Sequence, residues 1–295
     1  MRKRDEAQRA RWLARAVRER LSYANVAATL ALCIALGTGG ALAASQIGPK
    51  DIAENAVRAK HIKRSAVHTP KIRDGAVTSP KLACKGNSPV DRMVRAGSVC
   101  IDKYEASVWS SPAGGTQYGV SSDDYPCSNL GQNCSNIYAR SLPGVTPSRF
   151  ITYFQAQQAL ANSGKRLPTN AEWQQAVAST PDDTGAGTTP CNTRGSGPVN
   201  TGSATGCVSR FGAHDMVGNL SEWVADWGPA STGCPGWGTS DDLMCLSGAS
   251  TTVQGPGALL RGGVFFDGAG TGPLAVTGSD RPANSSPGYG FRGAR

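Results

Sequence analysis

Eight cysteines lie downstream of one uncharged apolar stretch, and that arrangement limits what the chain can be more than any other feature. Val26 to Ala44 reads VAATLALCIALGTGGALAA, 19 residues without a charged side chain. The length suits a membrane-spanning helix or the apolar core of an export signal. Eight Lys and Arg residues stand among the first 20, and after the stretch no basic residue occurs until Lys50. The positive-inside rule then puts the N-terminus in the cytoplasm and everything past Ala44 outside. A single-pass anchor in the cell membrane is the expected outcome; secretion after cleavage near Ala43, behind Ala41-Leu42-Ala43, is the alternative. Cys33 lies inside the apolar run, and Cys84, Cys100, Cys127, Cys134, Cys191, Cys207, Cys234 and Cys245 follow it. An even number of cysteines in an exported chain implies disulfides. Eight cysteines allow 105 connectivities; the spacing favours sequential pairing, which closes a short loop each time. Zinc is the rival, but it wants closely paired cysteines or histidine partners, and neither pattern occurs.

Charge divides the chain unequally. Residues 1–20 carry eight Lys or Arg against three acids, residues 45–83 again eight against three, and residues 84–295 carry 14 against 15. The basicity belongs to the attachments. A nucleic-acid partner would demand a positive folded domain with aromatics interleaved, so none is expected. The chain therefore divides into a basic tail at 1–25, an apolar helix at 26–44, a repeat segment at 45–83 and a folded domain at 84–295.

The repeat has a ten-residue period. Ile47, Val57, Val67 and Val77 recur at ten, as do Ile52, Ile62, Ile72 and Leu82, so an apolar residue comes every fifth position. Five fits neither the strand period of 2 nor the helix period of 3.6. Two conformations remain open: a turning, solenoid-like chain that points one residue inward per short side, and a semi-extended stalk stiffened by Pro49, Pro70 and Pro80. The array resembles the decapeptide stalks of exported actinobacterial proteins, which implies a spacer. Its excess positive charge would hold it against anionic membrane or wall polymer through a screened, unspecific attraction.

Within the domain, GKRLPTNAEW (Gly164 to Trp173) places Thr169 and Glu172 at capping-box spacing. A short helix over Thr169–Ala178 is expected, with Trp173, Ala176 and Val177 on its buried side. An earlier amphipathic run, Tyr153–Asn162, ends at Ser163-Gly164 with a glycine C-cap. DMVGNLSEWVADW (Asp215 to Trp227) supplies Met216, Leu220, Trp223 and Trp227 as helical or irregular core. LLRGG from Leu259 and GFR at Gly290–Arg292 complete the set. In this order and spacing the blocks resemble the formylglycine-generating enzyme family, also called sulfatase-modifying factors, over about Val99 to Arg295. The resemblance implies an α+β, C-type-lectin-like domain with little regular secondary structure, which agrees with the density of Gly, Pro, Ser and Thr breakers.

Members of that family that make formylglycine oxidise a substrate cysteine with two thiols in a C-x4-C arrangement soon after the RGG block, where soft thiolates hold Cu(I). Here the segment after Arg261-Gly262-Gly263 reads VFFDGAGTGPLAVTGSDRP, and no cysteine lies beyond Cys245. Asp267 stands about where the first thiol is expected, so no copper and no catalytic residue is assigned. Cys234 and Cys245 precede the block and read as a disulfide. Iron chemistry of other relatives uses histidines that this chain lacks, and His214 beside Asp215 reads as a surface residue. The resemblance does imply structural calcium through Asn219 and Glu222, hard oxygen ligands on one loop. The remaining expectation is a recognition surface for a cell-surface glycan, peptide or protein, built from Phe265, Phe266, Asp267, Asp280, Arg281 and Tyr289 on loops held by a rigid scaffold. Arg261, Arg281 and Arg292 are expected chiefly to brace the core. The alternatives are an oxidoreductase acting on protein cysteines and an inert structural wall protein.

Overall fold

The computed structural model describes residues 91–295 except 186, 253 and 254, and before them 8–9, 11–13, 15, 26–33, 52–53, 56–58, 61–63, 66, 84 and 88–89. Met1–Ala76 and Val77–Arg295 form separate units. In the first, residues 26–33 are helical. Among the described residues no helix is long and apolar enough to cross a membrane. The rest of the expected span, 34–44, lies outside them, as do most of the tail and much of the repeat segment.

The second unit mixes helix and sheet. Its strands run from two to nine residues, and its helices, α1 (Tyr153–Asn162) and α2 (Asn170–Ala176), have ten and seven. A hairpin of β1 (Met93–Ala96) and β2 (Val99–Asp102) opens the unit. A three-stranded antiparallel sheet of β3 (Ala106–Ser111), β4 (Gly114–Tyr118) and β5 (Tyr138–Ser141) follows, in the order β4-β3-β5. The main sheet is built from β6 (Ser221–Pro229), β8 (Met244–Cys245), β10 (Pro256–Arg261), β11 (Val276–Thr277) and β12 (Tyr289–Phe291), ordered β12-β6-β10-β11-β8. β7 (Ser231–Gly233) and β9 (Ser247–Ala249) pair separately.

Side chains on a strand alternate between faces, and β6 uses both. Trp223 joins a core with α1 residues Tyr153, Ala156 and Leu160, while Val224 joins a second core with Trp173 and Ala176 of α2. Leu260 and Leu259 of β10 divide the same way. The main sheet is thus covered by an α1 layer on one face and an α2 layer on the other. The block containing Trp223, expected to be helical or irregular, is therefore a strand from Ser221 onward, because burial on both faces imposes period 2. Trp223 is fully buried and donates Nε1–H to Ile151 O at 3.0 Å. Trp227, 46% exposed, sits at the rim of that core with its ring edge-on to Tyr153 and Phe154.

Both helices begin with a complete capping box: Thr152 with Gln155, and Thr169 with Glu172. α1 ends at Asn162 with Ser163 as its C-cap, and Gly164 follows at φ 65°, the left-handed conformation that costs glycine least. α2 stops at Ala176, two residues short of expectation, with Val177 as its C-cap.

The cysteines pair sequentially: Cys84–Cys100, Cys127–Cys134, Cys191–Cys207 and Cys234–Cys245. No thiol in residues 84–295 is left free, and Cys33 is the free cysteine of the chain.

Candidate functional site

An ionic hub at the centre of the domain joins the matched sequence blocks. Arg292, following β12, donates Nε–H to both oxygens of Glu222 on β6 at 2.9 and 2.7 Å, and Nη2–H to Oε1 at 2.5 Å. Trp173 of α2 donates Nε1–H to Glu222 Oε2 at 2.7 Å. Arg292 also donates to the carbonyls of Asp102 and His214. Burial works against its charge, but Glu222, together with the charges of Glu105 and Asp215, holds the guanidinium pKa up. Beside the pair lie two more buried carboxyls. Glu105 accepts from Asn219 Nδ2–H and from Leu220 N–H at 2.9 Å, and its pKa is pushed well up by burial and then by the charges of Asp215 and Glu222. Asp215 accepts from Gly202 N–H at 2.6 Å and is pushed up to about 6, chiefly by burial.

This arrangement does not fit calcium at Asn219 and Glu222. Asn219 Oδ1 accepts from Val199 N–H at 2.8 Å and Asn192 Nδ2–H at 3.0 Å. Both oxygens of Glu222 face a buried guanidinium, a cation that already neutralises the carboxylate and would repel a second one. The two residues meet in one network, but as internal braces. Asn219 takes a left-handed backbone, φ 58°, which asparagine tolerates. Among the described residues no three His, Cys, Asp or Glu side chains converge to hold a metal ion.

The arginines sort by burial. Arg261 and Arg292 are interior; Arg261 stacks 4.6 Å over the Trp173 ring and donates to the carbonyls of Pro273, Leu274 and Ala275. Arg281 is exposed. His214 is half-buried, stacked on Tyr104 with ring centroids 5.0 Å apart, and burial lowers its pKa.

The expected recognition segment is split. Phe265 is buried against Leu220 and Val264, whereas Phe266 is 61% exposed and meets the Phe265 ring edge-on. Asp267 accepts from Val264 N–H at 3.1 Å, and burial raises its carboxyl pKa. Tyr289 is half-buried against Trp223. Burial raises its hydroxyl pKa first, then the charge and hydrogen bond of Asp280 and the charge of Asp267. Asp267, Asp280 and Tyr289 thus share one neighbourhood; Phe265 does not present itself there.

An open cleft lies beside this segment. It has a volume of about 500 Å³ and is lined by Asp182, Asp183, Thr184, Gly238, Thr239, Ser240 and Asp241. Backbone bonds tie its walls to the segment after the RGG block: Gly268 N–H to Thr193 O at 2.9 Å, and Leu243 N–H to Gly270 O at 2.9 Å. Asp242, buried, accepts from Leu274 N–H at 2.6 Å. Within the cleft Asp183 is satisfied by Thr193 Oγ1–H at 2.6 Å and Arg194 Nε–H at 3.1 Å. Burial opposes its charge, but these donors win and lower its pKa. Asp182 differs: burial and then the charge of Asp242 raise its pKa, and its Oδ1 is buried without a partner. No candidate residue assigned from the sequence lines this cleft. The signal was present as two Asp-Asp doublets set among turn formers, Pro181-Asp182-Asp183-Thr184 and Ser240-Asp241-Asp242.

Family comparison decides the ancestry of the scaffold. The model of the sulfatase-modifying factor enzyme 1-like domain (FGE-sulfatase) matches residues 86–295. The chain belongs to that family. Hercynine oxygenase of Mycolicibacterium smegmatis is 29% identical over 100 residues, 30% of this sulfatase-modifying-factor-like chain and 23% of that protein. Among solved structures, the Major Tropism Determinant I1 variant aligns with TM-score 0.42 and 19% identity, covering 72% of this chain and 53% of its own. PvdO from Pseudomonas aeruginosa aligns with TM-score 0.30 and 16% identity, covering 70% and 99%. The chain thus spans about a quarter of the curated relative and about half of the tropism determinant.

Proposed function

We propose that this sulfatase-modifying-factor-like domain is an exported, membrane-tethered recognition module that binds a ligand and does not oxidise one. The observation that carries this is the fate of sulfur. All eight cysteines of the domain are in disulfides, none follows Cys245, and Asp267, a hard carboxylate, stands about where the family's first thiol is expected. A carboxylate cannot substitute for the soft ligand that Cu(I) chemistry needs. What the same part of the scaffold offers is an open cleft with two carboxylates, Asp182 and Asp241, that no cation in the domain neutralises in the described ion pairs, together with the hydroxyls of Thr184, Thr239 and Ser240. That lining suits a hydroxylated or positively charged group of a cell-surface glycan or peptide, with Phe266, Asp280 and Arg281 as outer contacts. Tethering rests on the apolar run at 26–44 and the basic residues before it, with the domain outside.

Two measurements test the proposal. Incubation of purified protein with copper, oxygen and a cysteine-containing sulfatase-motif peptide should consume no oxygen and yield no aldehyde; formylglycine in the product overturns the non-catalytic reading in favour of an oxidoreductase. A glycan and peptidoglycan-fragment array should show binding that Asp182→Asn with Asp241→Asn abolishes. Silence across the array favours an inert wall protein.

A further inference from the structure

One wall of the acidic cleft hangs from a disulfide. Gly238, Thr239, Ser240 and Asp241, which line it, lie inside the loop that Cys234–Cys245 closes. Before the loop, β7 pairs with β9 at Ser231 and Gly233. After it, β8 joins the main sheet, and Gly278 N–H donates to Cys245 O at 2.9 Å. Between these anchors the backbone is almost unsupported. Among the described residues, the one hydrogen bond that reaches 234–241 runs from Asp242 N–H to Ser240 Oγ at 3.3 Å.

The same bridge is the one most open to solvent. Cys84–Cys100 and Cys191–Cys207 have both partners buried, and in Cys127–Cys134 one partner is buried and the other half-buried. Cys234 is exposed, while Cys245 is buried in β8. Thiol–disulfide exchange requires a thiolate to reach one sulfur of the bridge, so exposure ranks Cys234–Cys245 first for attack. Loss of the bridge removes the cross-tie from a loop whose own backbone is barely bonded, and the freed wall gains conformational entropy. A ligand then has to order that wall as it binds.

We propose that Cys234–Cys245 is a redox latch on the cleft: oxidised, it fixes the wall that carries Asp241; reduced by an external dithiol, it releases that wall and weakens binding. This regulation rests on the reading of the cleft as the ligand site. A thiolate of the dithiol attacks Sγ of Cys234, and Cys245 leaves as a thiolate that takes up a proton. The second thiol of the reductant then displaces Cys234, which is protonated in turn. Two electrons pass to the protein, which gains two thiols, and the reductant becomes a disulfide. The oxidised form of the same dithiol reverses the step.

The test uses the full chain in detergent, with Cys33, the free cysteine, alkylated beforehand. Under graded dithiothreitol, mass spectrometry of trapped thiols should find Cys234 and Cys245 labelled while the other six cysteines remain bridged. At that point hydrogen–deuterium exchange should rise in residues 234–243 and stay level in α1 and α2. On the glycan and peptidoglycan-fragment array, reduction should weaken binding about tenfold, and reoxidation should restore it. Cys234→Ser with Cys245→Ser should match the reduced protein. Earlier labelling of another bridge, loop exchange that does not change, or array binding indifferent to reduction overturns the latch. An array silent in both states fails the binding reading instead, and labelling order with loop exchange then decides the latch alone.

Discussion

At the scale of single residues, the domain depends on a buried charge balance. Glu222 holds Arg292 and the Trp173 indole at once, so Glu222→Gln leaves a desolvated guanidinium without its counter-ion. Breaking a buried pair from one side costs about 3–5 kcal/mol, and denaturant unfolding should show a loss of that order. Because protein donors already satisfy Asn219 and Glu222, a chelator should leave the melting temperature unchanged; a drop would restore calcium to this loop. The sequence made Asn219 and Glu222 visible as a pair, but not what they face. Their partners Glu105, Asn192, Val199 and Arg292 lie 20 to 114 positions from Asn219 or 70 from Glu222, and a hydrogen-bond network of that reach leaves no local pattern.

At the scale of elements, legibility followed locality. Capping boxes are written within four residues: the start of α2 follows from Thr169-Glu172, while α1 is legible from its amphipathic run and its own box, Thr152-Gln155, emerges with the structure. Thr152→Ala and Thr169→Ala should each cost about 1 kcal/mol, measurable as additive shifts in denaturation midpoint, since the two caps share no partner. β6 was less legible. Met216, Leu220, Trp223 and Trp227 fall at spacings that admit a helix, and only the opposed burial of Trp223 and Val224 against two different layers makes the segment a strand. The acidic cleft was missed for a related reason: its two Asp-Asp doublets are far apart in the chain, and the loops that bring them together carry no periodic signal.

At the scale of the whole molecule, the same interior predicts an unusual pH profile. Burial pushes Asp102 and Asp215 up to about 6 from 3.8, and Glu105 moves in the same direction. A carboxyl whose folded pKa exceeds its unfolded value stabilises the fold below the unfolded pKa, and that contribution is lost as pH rises through the folded pKa. The melting temperature should therefore increase as pH falls from 7.5 towards 5. His214, with its lowered pKa, opposes this, as do Glu172 and Asp183 at still lower pH. A melting temperature that is flat or falls over that interval would contradict the burial of these three acids.

The disulfides carry a consequence for how the chain matures. Each joins a cysteine to the next along the sequence, with separations of 7 to 16 residues, and no loop encloses another. A polypeptide emerging N-terminus first presents both partners of each bridge before the first cysteine of the following pair. Oxidation in order of emergence then yields the native pairing directly, whereas a nested connectivity would require an early cysteine to wait for a late partner.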